Sequence, residues 1–165
     1  MSRITIKKLI SPAEISEFWQ KIDEYHQNDL YPNVELDEGE TLEELVEHFD
    51  SQGYRDTIMD LHQNANLQFV FFYYDEEYLG FAMYKIYTTE DGKAIIPEFC
   101  IAAPFRNQGI GAAAYAELAK VLKQEGGVYA ALNVSNSNNR RFWNRLGFKQ
   151  REVDEWGEQW YVKPL

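Results

Sequence analysis

The stretch FRNQGIGAAAY, residues 105–115, decides how the rest of the chain is read. It places Arg106, Gly109 and Gly111 within six residues and then runs into helix formers. Successive N–H groups entering a helix are unpaired donors, and the helix dipole adds partial positive charge to them. Glycine lacks the β-carbon that would keep a ligand off the backbone. With Arg106 at its mouth, the loop is therefore a candidate pyrophosphate site. The plainer alternative is a glycine turn that only joins a strand to a helix.

Two known phosphate loops fail on context. Gly109, Gly111 and Ala114 match the dinucleotide pattern G-x-G-x-x-G/A, but that pattern opens a parallel βαβ unit. Here three strands joined by short turns precede it, and strand 127–134 ends in Asn133 and Val134 where an acidic residue is required. No G-K-[ST] follows, so it is not a P-loop either.

Working outward, residues 4–10 (ITIKKLI) alternate as a strand does. Ser11 and Pro12 are N-cap and first-turn residues for a helix over 11–27, with Ile15, Phe18, Trp19 and Ile22 on one face. Residues 30–40 read as a loop. Short helices follow at 41–49 and 54–63, with Gly53 between them. Three strands, 67–75, 78–88 and 93–102, form an antiparallel meander. A long helix over 110–124, a buried strand, a short helix at 138–146 and a hairpin around 154–158 complete the chain. The fold class is α/β, with a mostly antiparallel mixed sheet flanked by helices and one domain over 1–165.

Composition bounds the function. There is no apolar run of membrane-spanning length and no secretory leader pattern, so a soluble cytoplasmic protein is expected. The single Cys100 excludes an internal disulfide. His26, His48 and His62 fit no common zinc spacing, so no metal is expected. Charge is unevenly placed. Residues 11–66 carry 15 acidic groups against Lys21 and Arg55, a balance of −13, while the remainder is +2. Such an acid balance disfavours nucleic acid as the main partner.

The segment R-N-Q-G-I-G-A (106–112) resembles the R/Q-x-x-G-x-G/A motif of the GNAT superfamily, the Gcn5-related N-acetyltransferases. A second stretch, NSNNRRFWNRLGF (136–148), resembles that family's N-x-x-A-x-x-(L/F)-Y-x-x-x-G-F segment. The resemblance implies a twisted sheet whose fourth and fifth strands splay apart to hold acetyl-CoA. The backbone of Phe99, Cys100 and Ile101 would then pair with the pantetheine arm. The amides of Asn107, Gln108, Gly109, Ile110, Gly111 and Ala112, with Arg106, would hold the pyrophosphate. Asn136 is the preferred pantetheine contact, lying two helical turns before Trp143, and Asn138 is the alternative. Trp143 stands where the family commonly has Tyr. An indole cannot act as a general acid at neutral pH, so Trp143 is expected to pack against the cofactor or the core.

The resemblance further implies acetyl transfer from acetyl-CoA to a primary amine by direct attack, the acceptor being a cationic small molecule or a protein amine. The alternative is a catalytically silent acyl-CoA-binding module. Glu98 is the candidate base. Cys100 reads as a buried strand residue and not as a nucleophile. Tyr31, Tyr87 and Tyr161 could each offer a hydroxyl. The first helices would form the acceptor wall, with Tyr31 and Glu35 beside Asp37, Glu38 and Glu40. An acidic, aromatic wall attracts a cation. No membrane partner is expected, and a homodimer is left open.

Overall fold

Ser11 starts the first helix as its sequence demands. Its hydroxyl accepts from the Glu14 amide at 3.2 Å, and the Glu14 carboxylate accepts from the Ser11 amide at 3.0 Å. Pro12 occupies the first turn, where its missing N–H costs nothing. The structure is a computed structural model and describes residues 3–165. In chain order its elements are β1 Ile4–Lys8, α1 Pro12–Tyr25, a π-turn His26–Leu30, α2 Tyr31–Asn33, α3 Leu42–Asp50, α4 Gln52–Asn64, β2 Gln68–Tyr74, β3 Glu77–Ile86 and β4 Lys93–Ile101. Then come α5 Ile110–Gln124, β5 Tyr129–Leu132, α6 Ser137–Arg145, β6 Lys149–Val153 and β7 Gln159–Pro164.

Two local readings need correction. Helical backbone continues past Gln27 to Asn33 instead of giving way to a loop at Leu30. Pro32 has no N–H, and its ring would clash with the carbonyl four residues back in a regular helix. The ladder widens before it, and the Tyr31 amide donates to the His26 carbonyl in a π-type bond. Gly53 does not break the chain either. Ser51 does, by capping α4 through the Tyr54 amide, and Gly53 sits in that helix's first turn.

The strands form a seven-stranded sheet in the order β1-β2-β3-β4-β5-β7-β6. All neighbours are antiparallel except β4 and β5. The middle of strand β2, Phe69 to Phe72, is apolar because both its faces are covered. Phe69 and Phe71 turn to α1, packing with Phe18, Trp19 and Ile22. Val70 and Phe72 turn to α5, packing with Ala114, Leu118 and Leu122. Within β4, Met83 pairs with Glu98 and Lys85 with Ile95, so two residues, Ile96 and Pro97, oppose Tyr84. This bulge accommodates Pro97, which cannot donate to a ladder. Among the described residues no helix is long and apolar enough to cross a membrane.

Candidate functional site

The bulge leads into a cleft. The parallel pairing of β4 with β5 ends at Ile95 and Ala131, yet β4 runs on to Ile101 while β5 stops at Leu132. Beyond Ile95, β4 has β3 on one edge and the cleft on the other. The Cys100 carbonyl points at β3, because a β-carbon built on Gly80 would lie 2.1 Å from it. By strand alternation, Phe99 and Ile101 turn their polar groups to the cleft edge. Of the three residues expected there, Cys100 is therefore on the wrong edge. The Cys100 thiol is pushed up to about 12 by burial, with Arg106 acting in the opposite direction. It is no thiolate nucleophile near neutral pH.

The glycine loop closes the end of this cleft. Asn107 (φ 61°) and Gly109 (φ 78°) take left-handed conformations that turn the chain into α5. The N-caps of α1, α3, α4 and α6 are Ser11, Thr41, Ser51 and Asn136, each accepting an amide through its side chain. Helix α5 has Gly109 and no side-chain cap, so its first amides remain donors for something else. A β-carbon on Gly109 would meet nothing within 4 Å. Gly111 differs: its β-carbon would lie 2.9 Å from Cε1 of Phe142. That glycine makes room for a ring of α6, a reason separate from phosphate approach.

Arg106 is likewise engaged. Its guanidinium grips both carboxylate oxygens of Asp29 at 2.9 and 2.8 Å, and its Nε donates to the Ile101 carbonyl at 2.7 Å. The Asp29 hydrogen bonds push its already high pKa further up. The bidentate pair fastens the loop to the π-turn, so Arg106 is an anchor for the amides of 107–112 and its charge is met by Asp29.

The second motif divides. Asn136 caps α6, its Oδ1 accepting from the Asn139 amide at 2.9 Å, while Asn138 is exposed on the first turn. Trp143 is 6% exposed and sits in the core among Phe99, Tyr115 and Phe148, with ring centroids 5.0 to 5.6 Å away. Its neighbour Phe142, stacked near Phe99, is the ring left half-buried beside the loop. Of the two places open to Trp143, the core is the one it takes.

Glu98 points to the other face of β4, where the π-turn and α2 to α4 gather. Its carboxylate lies 3.9 Å from Nε2 of His26 and is only 12% exposed. The His26 ring is surrounded by Tyr25, Tyr31 and Phe49. Tyr31 is buried and donates to Asp50 at 2.9 Å. Burial, with that bond second, pushes its phenol upward. Tyr54 is raised by burial and then by the charge of Glu98. Glu35 does not join this group. Its carboxylate accepts from the Ser137 hydroxyl and amide at 2.6 and 2.9 Å, which holds it below the usual range. The 34–40 loop is thereby stitched to the start of α6.

Asp29 and Asp50 were not singled out from the sequence, and His26 was weighed there only as a zinc ligand. His26 does fall four residues after Ile22 on the buried face of α1, and that register was the available signal. A groove of about 380 Å³ also opens between α1 and the end of β4. It is lined by Tyr25, Tyr78, Cys100 and Arg106 among others, but by neither Glu98 nor His26.

A family model described as the acetyltransferase (GNAT) family matches residues 19–148. The solved PaiA N-acetyltransferase of Thermoplasma acidophilum, in complex with coenzyme A, superposes with a TM-score of 0.69 at 23% identity, covering 100% of both chains. A GNAT-family protein from Desulfovibrio desulfuricans gives 0.65 at 18% identity over 98% of each chain. The N-acetylglutamate synthase of Neisseria gonorrhoeae, complexed with coenzyme A and N-acetylglutamate, gives 0.64 at 14% identity, covering 100% of this chain and 36% of that one. At these identities the likeness is one of fold. A search of curated proteins by sequence finds no match.

Proposed function

We propose that this chain, which belongs to the acetyltransferase (GNAT) family, moves an acetyl group from acetyl-CoA to a primary amine bearing positive charge. One observation carries the reading. β4 parts from β5 after Ile95, and the parted edge leads to the uncapped N-terminus of α5. An extended pantetheine arm suits the parted edge at Phe99 and Ile101, where the Ile101 carbonyl already accepts from Arg106. A pyrophosphate suits the amides from Asn107 to Ala112.

The chemistry then needs little. A thioester is already activated, and positioning supplies most of the acceleration. The acceptor arrives as an ammonium ion, and Glu98 takes one proton from it. The nitrogen lone pair attacks the thioester carbon, the C–N bond forms and the C–S bond breaks. A second proton from the nitrogen passes through water to the departing thiolate, since Trp143 offers no phenol. The products are the amide, the free thiol of CoA and one proton held by Glu98.

Acceptor charge is read from the wall that faces Glu98. The segment 11–66 carries −13, and the rings of Tyr31, Phe49 and Tyr54 stand within it. A cation is drawn to such a surface, and the attraction weakens with salt. Glu35 stays ionised but is held at Ser137, so the mobile charge on the 34–40 loop rests on Asp37 and Glu38, with Glu40 bonded to the Asp37 amide. The test is an acceptor panel of spermidine, tyramine, a dipeptide amide and glutamate, with thiol release followed in low and physiological salt. Cationic amines should win, with KM rising as salt rises. A panel won by glutamate without a salt effect would overturn the charge reading.

A further inference from the structure

His26 is a buried polar group with nothing to bond. It is 1% exposed, and both its ring nitrogens lie within the protein without a hydrogen-bond partner. Its ring neighbours are Tyr25, Tyr31 and Phe49, at centroid distances of 5.6, 5.7 and 5.0 Å. A core position of this kind favours Phe unless the nitrogens are used, because an unmet buried donor is costly. Among the described residues, the charged group that reaches it is the Glu98 carboxylate, 3.9 Å from Nε2. About 1 Å of carboxyl movement brings the two to hydrogen-bonding distance, and such bonds tighten when a site fills.

The backbone explains why this ring is placed so firmly. His26 is the first residue of the π-turn, and Asp29 of the same turn holds Arg106. π-type turns recur at functional sites. One irregular turn thus reaches the strand that bears Glu98 and the loop ahead of α5. Other titratable or charged groups on the elements packed around the ring are Tyr25 on α1, Tyr31 on α2, His48 and Asp50 on α3 and Tyr54 on α4, with His48 packed against Phe49 and Tyr54. Asp29, Cys100 and Arg106 lie further along, toward the loop. Asp50 is bonded to Tyr31 and Asp29 to Arg106, which leaves Glu98 as the acceptor that faces His26.

We propose that His26 is the positioning residue for Glu98: its Nε2–H holds one carboxylate oxygen so that the other meets the acceptor's ammonium group. The inference rests on Glu98 being the base, and it goes beyond that reading by naming what orients the base. His26 touches neither amine nor thioester, so its removal acts through Glu98. A donor to the carboxylate favours its ionised form. Losing that donor moves the acidic limb of the rate profile toward alkaline pH.

The test compares His26→Phe, which keeps a ring, with His26→Gln, which restores an N–H, using the best acceptor of the panel above. His26→Phe should bind acetyl-CoA normally, lose at least tenfold in kcat with little change in acceptor KM, and shift its acidic limb upward by about one pH unit. His26→Gln should recover much of both. A His26→Phe protein with unaltered turnover and pH profile overturns the proposal, while loss of turnover in Glu98→Gln alone leaves the base reading standing. Full turnover in Glu98→Gln removes both. Should His26→Phe fail to fold, or no panel amine react, the imidazole nitrogen spectrum decides. It should show the Nε2–H tautomer in the unaltered protein and lose that preference in Glu98→Ala. The same tautomer population in both proteins overturns the proposal.

Discussion

Gly111→Val tests the junction between the glycine loop and α6. A β-carbon at 111 would lie 2.9 and 3.0 Å from Cε1 and Cζ of Phe142 and 3.7 Å from Cγ1 of Ile101. Comfortable carbon contacts lie at about 3.5–4.0 Å, so the ring must retreat by roughly 0.5–1 Å before the valine methyls are seated. Overpacking of this size costs about 1–3 kcal/mol. For a domain of this length that is a fall in Tm of roughly 2–12 °C. Phe142 is stacked near Phe99, so its retreat also disturbs the cleft edge. Calorimetric titration with CoA should show affinity weakened tenfold or more. The double variant Gly111→Val, Phe142→Ala removes the collision, so its loss in Tm should be clearly smaller than the sum of the two single losses. A single variant with unchanged Tm and CoA affinity would refute the reasoning. Strict additivity in the double variant would show that Phe142 is not the obstacle.

Arg106→Ala should weaken CoA less than Gly111→Val, because the amides remain and only their fastening to Asp29 is lost. Asp29→Ala should weaken CoA to a similar degree by freeing the same anchor, and titration of both variants checks it. Cys100 lines the groove beside α1, but its thiol is pushed up to about 12 by burial, so it should react only slowly with a disulfide reagent at pH 8; labelling as fast as a free thiol would contradict this. Ser11→Ala should cost about 1 kcal/mol by removing the α1 cap, read from denaturant unfolding. The backbone amides of Ser11 and Ile10, then Lys7, hold Glu14 down at about 2, below its ordinary 4.5. A depressed carboxyl stabilises fully above the ordinary value and loses that contribution as pH falls toward 2. Melting curves between pH 6 and 2.5 should therefore fall less steeply in Glu14→Gln than in the unaltered chain.

Much of the fold was legible because its signals are local. The Ser11-Pro12 start, the meander of three strands and the terminal hairpin depend on residues close together in sequence, and each forms as expected. The splay of β4 from β5 followed from the resemblance, and the register shows how it arises, with pairing lost after Ile95. What escaped the sequence is long-range. Arg106 reads as a free cation until the fold brings Asp29, 77 residues away, to its guanidinium. Glu35 reads as acceptor wall until Ser137, 102 residues away, claims its carboxylate. Gly111 looks like room for a ligand until α6 lays Phe142 against it. The π-turn was missed because residues 30–40 were read as a loop, whereas Pro32 widens the helix before it instead of ending it at once. His26 was weighed only as a zinc ligand, although its register put it on the buried face.

The most direct measurement is acetyl transfer itself. The purified chain is incubated with acetyl-CoA and spermidine, with CoA thiol and acetylated amine both quantified. The account predicts saturable release of one thiol for each amine acetylated, abolished or strongly slowed in Glu98→Gln. Tight CoA binding without thiol release or amide formation from any panel amine would contradict it and make the cleft a binding site alone.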